Sequence, residues 1–450
     1  MNWMAGDKLL WVDPQGKEGY CRESFFFLCS FELSVTSMMK SPNRLPAALR
    51  RCQRYGIPAA FIFALMFHGL LPSGGWCFEV RELLAWMGQA FIWGLTLAAP
   101  LLVAASTSTA VGGIQSSGFC RVGRVFLAFI LSTFLCAMAG ALAAGSVEMT
   151  YPDLRAELGV RQDPTAAAGW SQMLPVLPVM PKLLMPGAVA AALGIGLLLR
   201  WAGSQNVRAL VESAGIRLMA ALRCYLKLLP AAVFCLTVGA LTRRGFSSLG
   251  QFGAVALLVS GVTLTGLLVI NPIVYKLFAR RPVRGVLLDL LEHSAYPAFL
   301  SRSSLANIPM NLAFCRRYGV PDKVASITIP LGAAFNMPGA AVTLSVYVSL
   351  ALIGTGMGDW GTLAAAAMCS ALFSMAAAGI PNGSSVLLPT LLGLFGCGDS
   401  TAAVMTAYFV ISVLQDSVGT ALNSSSDAFL TVASAGGHSK ADRAANLMRN

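Results

Sequence analysis

The sequence predicts an all-α polytopic membrane protein, and three of its properties lead to this fold class. Of its 450 residues, 56% are hydrophobic and 12% are charged, whereas soluble domains carry about 25% charged residues. Apolar runs long enough to cross roughly 30 Å of hydrocarbon recur along the chain. The 44 glycines and 22 prolines are many for simple spanning helices, which indicates that some helices are broken or re-entrant.

The first 45 residues are polar, and we expect this N-terminal extension to be disordered. They lack a charged start followed by an apolar core and a small-residue cleavage site, so they do not resemble a signal peptide. A start of translation at Met38 or Met39 is an alternative to Met1.

Six apolar stretches predict membrane helices in the first 280 residues. The first is short for a span unless its amphipathic flank is included, and a polar loop at 148–174 follows the third. Lysines and arginines cluster in the loops at every second crossing, apart from Arg243 and Arg244, so the positive-inside pattern places both termini in the cytoplasm. The same pattern explains the net charge of +12 without nucleic acid. The six stretches are 56–71, 84–112, 124–147, 178–202, 208–241 and 249–278.

After residue 285 the apolar runs become short and are interrupted by Ser, Asn, Gly and Pro. Residues 286–314 are predicted to form a hairpin whose two arms, each too short to span the membrane, flank a serine-rich tip. Residues 362–396 show the same pattern around a Gly/Pro/Asn tip. Each predicted hairpin is followed by a helix that is broken or carries polar residues, at 324–351 and 400–436. This arrangement predicts an inverted repeat with a binding site near the middle of the membrane.

The last of these helices carries polar residues on one narrow stripe. A helix advances by about 100° per residue, which puts Asp416, Thr420, Asn423 and Asp427 at about 0°, 40°, −20° and 20°. A carboxylate at the bilayer centre costs about 2.5–3.5 kcal/mol. Two carboxylates on one face beside Thr and Asn therefore predict an ion or substrate site rather than a structural polar pair.

Three segments of the second half resemble the dicarboxylate/amino-acid:cation symporter family. They are Ser301-Arg-Ser-Ser304, Ile329 to Ala340 and Leu414 to Asp427. The likeness covers about residues 45–450, and the pattern is most similar to the bacterial sodium/serine-threonine symporters. The resemblance implies eight transmembrane helices plus two re-entrant helical hairpins, an elevator-type mechanism, a homotrimer, and residence in the bacterial cytoplasmic (inner) membrane.

The resemblance also implies a division of labour along the chain. Helices 1–5 lie in residues 46–241, where helices 1, 2, 4 and 5 form the scaffold and helix 3 belongs with the transport domain. The transport core occupies 249–436, with hairpins at 286–314 and 362–396. Residues 437–450 are then a cytoplasmic tail.

Roles for single residues at the substrate site follow from the same resemblance. Asp416 matches the carboxylate that binds the substrate ammonium, and the two tips match the groups that hold the substrate carboxylate. Short residues and exposed backbone N–H groups at such tips suit an anion. The residues expected to bind the substrate are Ser303, Ser304, Ile380, Pro381, Gly383, Asp416, Thr420 and Asn423.

The coupling ion is expected to be Na⁺, bound by hard oxygen ligands. Asn336 matches a break in the seventh helix, and Asp427 matches a sodium-binding carboxylate. Pro338 stands where members with acidic substrates have an aspartate, and Ala334 where a threonine is common, so fewer coupled sodium ions are predicted. The residues expected to bind cations are Asn336, Asn423, Asp427, Ser132 and Thr133, with Asn271 as a further candidate.

Gly419 carries the prediction of substrate choice. Members that transport acidic amino acids have an arginine there, and a substrate carboxylate buried without a partner would cost several kcal/mol. A small neutral amino acid is therefore predicted, serine and threonine first. The serine/threonine members have a glutamate there, which this chain also lacks, so alanine and glycine stay open. Arg302 either snorkels to cytoplasmic water or reaches the site and replaces the missing arginine.

We therefore predict a sodium-coupled symporter that contacts membrane lipid and needs no cofactor besides the coupling ion. An acidic amino acid or C4-dicarboxylate symporter on the same scaffold stays open, and so does an ion channel. An enzyme is not predicted, because the Asp and Ser residues lack a His or Lys base at suitable spacing. The sequence has no GxxxxGK[ST] loop for ATP, and its eleven scattered cysteines form no CxxC pair.

Overall fold

A computed structural model gives the architecture of the chain. The chain divides into two compact units, Met1–Gly56 and Ile57–Asn450. The structure describes residues 8–12, 18–22, 47–70, 76–112, 119–150, 224–244, 248–279, 282–376 and 383–435, together with a few residues between 213 and 222.

The N-terminal unit contains a β-hairpin. Strands β1 (Lys8–Val12) and β2 (Glu18–Arg22) are antiparallel, and Leu10 pairs with Tyr20. The predicted disorder is therefore wrong for these ten residues. Valine, tryptophan and tyrosine favour strands, and a local pairing of this kind needs few residues.

The helices of the first half correspond to most of the predicted stretches. Helix α1 includes the amphipathic flank that the sequence requires for its short apolar run. A 3₁₀ turn at Leu226–Leu228 leads into α4, and a π turn at Gly266–Ile270 joins α5 to α6. The predicted stretch at 178–202 lies outside the described residues. The bounds are α1 Ala47–Leu70, α2 Trp76–Gly112, α3 Phe119–Thr150, α4 Leu229–Arg244, α5 Ser248–Thr265 and α6 Asn271–Phe278.

The second half contains two helical hairpins, each followed by a long helical segment. In the first hairpin α7 continues through a π turn (Leu291–Ala295) into α8, and the tip at 302–307 leads to α9. Residues 377–382, at the tip of the second hairpin, lie outside the described residues. The bounds are α7 Val283–Leu290, α8 Tyr296–Ser301, α9 Ile308–Arg317, α10 Asp322–Phe335, α11 Pro338–Gly354, α12 Trp360–Ala376, α13 Gly383–Leu394 and α14 Thr401–Ala435.

The helix break at Asn336 occurs where the sequence predicts it. Asn336 and Met337 leave helical geometry (φ/ψ −90°/92° and −120°/52°), and Pro338 starts α11. Proline has no N–H for the preceding turn and disfavours helical backbone in the residue before it. The break therefore exposes backbone polar groups inside a span.

Long apolar helices confirm a polytopic membrane fold. In the described part of the chain four segments are long and apolar enough to cross a membrane, or five if α14, which bends by 75° between Ser412 and Leu414, is counted as one. The four segments are Val122–Val147, Ala220–Thr242, Phe252–Phe278 and Asp322–Gly354.

Helix α11 is the centre of the core. It is buried around its whole circumference and packs against α3, α12 and α14, as expected for a helix that is apolar on every side. Large apolar side chains such as Leu257 and Leu277 are exposed on α5 and α6, where a lipid environment would cover them.

Candidate substrate and cation site

The cation end of the site lies where α14 meets the helix break. The side-chain nitrogen Nδ2 of Asn336 donates to Asp427 Oδ1 (2.9 Å) and to Ser426 Oγ (2.6 Å). A Cβ atom at Gly332 would lie 2.6 Å from Asp427 Oδ1, so only glycine lets α10 approach this carboxylate. Asp427 is fully buried, and its Oδ2 has no hydrogen-bond partner in the described part of the chain.

This arrangement fits a hard cation such as Na⁺. Leaving a carboxylate oxygen buried and unpartnered is costly, and a bound cation removes the cost. The neighbouring groups are amide, hydroxyl and freed carbonyl oxygens, which are the ligand types that hard cations prefer.

Helix α3 adds two hydroxyl groups next to this end. Ser132 Oγ donates to Asn271 Oδ1 (2.6 Å), and Thr133 Oγ1 donates to Asn336 Oδ1 (3.4 Å). Asn271 is the first residue of α6 and is fully buried, with its Nδ2 unpartnered in the described residues. The structure thus brings all the cation candidates of α3, α6 and α10 to the break, while Pro338 supplies no charge there.

Asn423 links the stripe on α14 to the start of α11. Its Oδ1 accepts a hydrogen bond from the backbone N–H of Gly339 (2.7 Å), and its Nδ2 lies 3.7 Å from Met337 Sδ. Both ends of this amide are thus engaged at the break. Asn423 therefore belongs to the cation end of the site and also joins α14 to the start of α11.

Asp416 lies at the opposite end of the stripe. Eleven residues separate it from Asp427, which is about 16 Å along a helix. It is half-buried, and no side chain among the described residues hydrogen-bonds to it; the guanidinium of Arg302 attracts its carboxylate electrostatically. The carboxylate is thus available to a ligand ammonium. Thr420 follows one turn later, also half-buried.

The tip of the first hairpin is a compact turn. Arg302 ends α8 in the left-handed conformation (φ 51°), and Ser303 Oγ accepts a hydrogen bond from the N–H of Ala306 (3.2 Å). The N–H of Asn307 donates to the carbonyls of Ser303 and Ser304, at 3.2 Å each. The exposed Arg302 stands next to both serines, and its charge attracts the Asp416 carboxylate, which favours the interpretation that Arg302 reaches the site.

The second tip is only partly described. Gly383 is the first residue of α13, whereas Ile380 and Pro381 lie outside the described residues. Their assignment to the substrate carboxylate stays a prediction.

Sequence reasoning missed a buried polar network that joins both arms of the first hairpin to α14. Asn307 Nδ2 donates to Ser424 Oγ (2.9 Å), Asn311 Nδ2 donates to the Ser424 carbonyl (2.8 Å), and Ser294 Oγ donates to Asn311 Oδ1 (2.6 Å). All four residues are buried. The spacing of Asn307 and Asn311, one helical turn apart in an apolar arm, was the available signal.

A sequence model of the sodium:dicarboxylate symporter family matches residues 56–436. The match contains helices α2 to α14 and every candidate site residue. It confirms the resemblance and the fold class, an all-α polytopic transporter of the elevator type; the number of membrane helices and the serine/threonine relative stay predictions. The family consists of transporters rather than enzymes, and its members couple transport to sodium. The chain therefore belongs to the sodium:dicarboxylate symporter family.

Proposed function

We propose that this symporter takes up small neutral amino acids, serine and threonine first, together with Na⁺. The observation that carries the proposal is the set of charges around Asp416. The carboxylate of Asp416 is the anion, and the guanidinium of Arg302 is the cation that attracts it. Gly419 adds no further charge. One anion and one cation match the ammonium and the carboxylate of a zwitterion.

An acidic substrate fits this set of charges less well. Its second carboxylate would need another partner, and a carboxylate left unpaired away from water is costly. The arginine that the resemblance implies for such substrates would stand at Gly419, where the chain has no side chain.

A second candidate, uptake of acidic amino acids or C4-dicarboxylates, is favoured by Arg302. If the α-carboxylate were held by the serines and the second tip alone, the guanidinium could pair with the extra carboxylate. Substrate competition separates the two candidates.

Uptake into proteoliposomes tests the proposal. Labelled serine is supplied with and without an inward sodium gradient, and alanine, threonine, aspartate and succinate are used as competitors. We expect sodium-dependent, saturable serine uptake that alanine and threonine inhibit and aspartate does not. Inhibition by aspartate together with labelled aspartate uptake would establish the second candidate. Sodium current without saturable uptake would instead indicate a channel.

Variants at Arg302 refine the test. Arg302→Gln is expected to weaken serine binding, because the substrate carboxylate loses its cation. Arg316→Gln is the matched control, since Arg316 is also exposed on the same hairpin and pairs with Asp322 rather than with the site. Equal effects of the two substitutions would remove Arg302 from the proposed role.

We also propose, on the resemblance alone, that the protein is a homotrimer in a bacterial inner membrane with both termini in the cytoplasm. Na⁺ is its coupling ion, and no other cofactor is required. The oligomeric state can be measured by the mass of the detergent-solubilised protein.

A further inference from the structure

Helices α11 and α14 cross at two glycines, and the crossing is tight on one side only. A Cβ atom at Gly339 would lie 2.5 Å from the carbonyl oxygen of Gly419, whereas a Cβ atom at Gly419 would meet nothing closer than 3.9 Å. The two backbones therefore touch. The space that a Cβ atom at position 419 would enter is nevertheless free of close protein atoms.

Gln415 stands at the edge of this space. It precedes Gly419 by four residues, so the two lie on the same face of α14, one turn apart. Its Nε2 donates to the hydroxyl of Tyr347 on α11 (2.8 Å). Along α11, Tyr347 follows Gly339 by about two turns, whereas along α14 Gln415 precedes Gly419 by one turn. The two helices therefore run antiparallel. The Gln415 amide lies in the same interface between α11 and α14 as the two glycines.

The amide of Gln415 is only half satisfied. Its side chain is 3% exposed, and Oε1 has no hydrogen-bond partner among the described residues. A buried acceptor without a donor destabilises the protein unless another molecule supplies one. Asp416 is the next residue along the chain, about 100° around the helix from Gln415. The unpaired oxygen thus belongs to the same turn of α14 as the carboxylate that is proposed to hold the substrate ammonium, and to the face of α14 that carries Gly419.

We infer that Gln415 is a specificity-determining residue that hydrogen-bonds the side-chain hydroxyl of serine or threonine. The inference rests on the proposed function, because it takes the substrate ammonium to lie at Asp416. In an amino acid the side chain branches from the carbon that carries the ammonium, so a substrate held at Asp416 can direct its side-chain hydroxyl into the space beside Gly419, which lies on the same face of α14 as Gln415. A hydroxyl both donates and accepts, whereas the methyl group of alanine does neither.

The test compares serine with alanine, which differ by this hydroxyl alone. The ratio of their kcat/KM values is measured in proteoliposomes under an inward sodium gradient for the unmodified protein and for Gln415→Leu, which removes the amide but keeps a similar volume. We expect the unmodified protein to prefer serine, and the substitution to lower the serine-to-alanine ratio by about tenfold or more. Threonine should follow serine.

Ser349→Ala is the matched control. Ser349 is a fully buried residue on α11 whose hydroxyl is also unpartnered in the described residues, but it lies two residues beyond Tyr347. This substitution removes a buried hydroxyl from the same helix, and the serine-to-alanine ratio should stay as it is in the unmodified protein.

Each remaining outcome decides the matter. A ratio that does not change in Gln415→Leu, or an equal loss of serine and alanine uptake, would overturn the inference and assign Gln415 a structural role. If Gln415→Leu does not fold, Gln415→Met carries the same expectation. Absence of sodium-dependent uptake of any neutral amino acid by the unmodified protein would refute the proposed function itself, which is a different result from an unchanged ratio.

Discussion

The glycine crossing of α11 and α14 allows a prediction with an internal control. In Gly339→Ala the new Cβ would lie 2.5 Å from the Gly419 carbonyl oxygen, and such a contact becomes ordinary at 3.4 Å, so the helices must separate by about 0.9 Å. The separation would also stretch the 2.7 Å hydrogen bond from Gly339 N–H to Asn423 Oδ1.

The cost follows from these two losses. Overpacking of a core contact costs about 1–3 kcal/mol, and a lost buried hydrogen bond adds about 1 kcal/mol. Alanine gains up to about 1 kcal/mol over glycine in a helix, but Gly419→Ala gains this too, and its Cβ meets nothing closer than 3.9 Å. The two variants should therefore differ in stability by about 2–4 kcal/mol, with Gly419→Ala the more stable.

Denaturant titration of the detergent-solubilised protein measures this difference, with the midpoints of the two alanine variants and the unmodified protein compared under one set of conditions. Gly339→Ala should unfold first. Equal midpoints, or a lower midpoint for Gly419→Ala, would show that the two helices do not cross as described.

Three further predictions concern charged residues. Asp416→Asn should abolish serine uptake while the protein still binds Na⁺, because the substrate ammonium loses its charged partner; near-normal uptake would remove Asp416 from that role. Asp427→Asn should abolish the stabilisation of the protein by Na⁺ in thermal unfolding, and retention of that stabilisation would place the cation elsewhere. Hydrogen bonds from Thr362 lower the pKa of Asp359, which caps the start of α12; Asp359→Ala should therefore be less stable than the unmodified protein near neutral pH. This difference should be fully present above about pH 4 and should decline as the pH falls through the lowered pKa of the folded state, where the carboxylate becomes protonated; a difference that does not decline in strong acid would exclude the charged cap.

The first hairpin could be predicted because its signals are local. Short apolar arms, a serine-rich tip and a proline after it predicted residues 286–314, and the described hairpin runs from Val283 to Arg317. The break at Asn336 was equally readable, since Pro338 acts on the residues directly before it. The π turns at Gly266–Ile270 and Leu291–Ala295 leave no comparable signal in the residue types.

The contacts between distant residues could not be predicted. Periodicity placed Asp416 and Asp427 on one face, but the partner of each carboxylate depends on which helix packs there. Asn311 and Ser424 are 113 residues apart in the chain, yet they hydrogen-bond to each other. In the N-terminal hairpin the prediction failed for a local contact. The polar composition suggested disorder, whereas a short antiparallel pairing forms.

The charges of the site bear on the number of coupled ions. Three charged side chains are proposed to form it, the carboxylates of Asp416 and Asp427 and the guanidinium of Arg302, and together they leave one negative charge. A zwitterionic substrate adds none, so a single Na⁺ makes the loaded site neutral, whereas an acidic substrate would require a second cation. Carrying an unbalanced charge through the membrane interior is costly. The missing arginine at Gly419 removes a positive charge that an acidic substrate would need, and the missing aspartate at Pro338 removes a carboxylate that would need a further cation. A ratio of one sodium per serine, measured from reversal potentials, is the expected result; three sodium ions per substrate would contradict this balance.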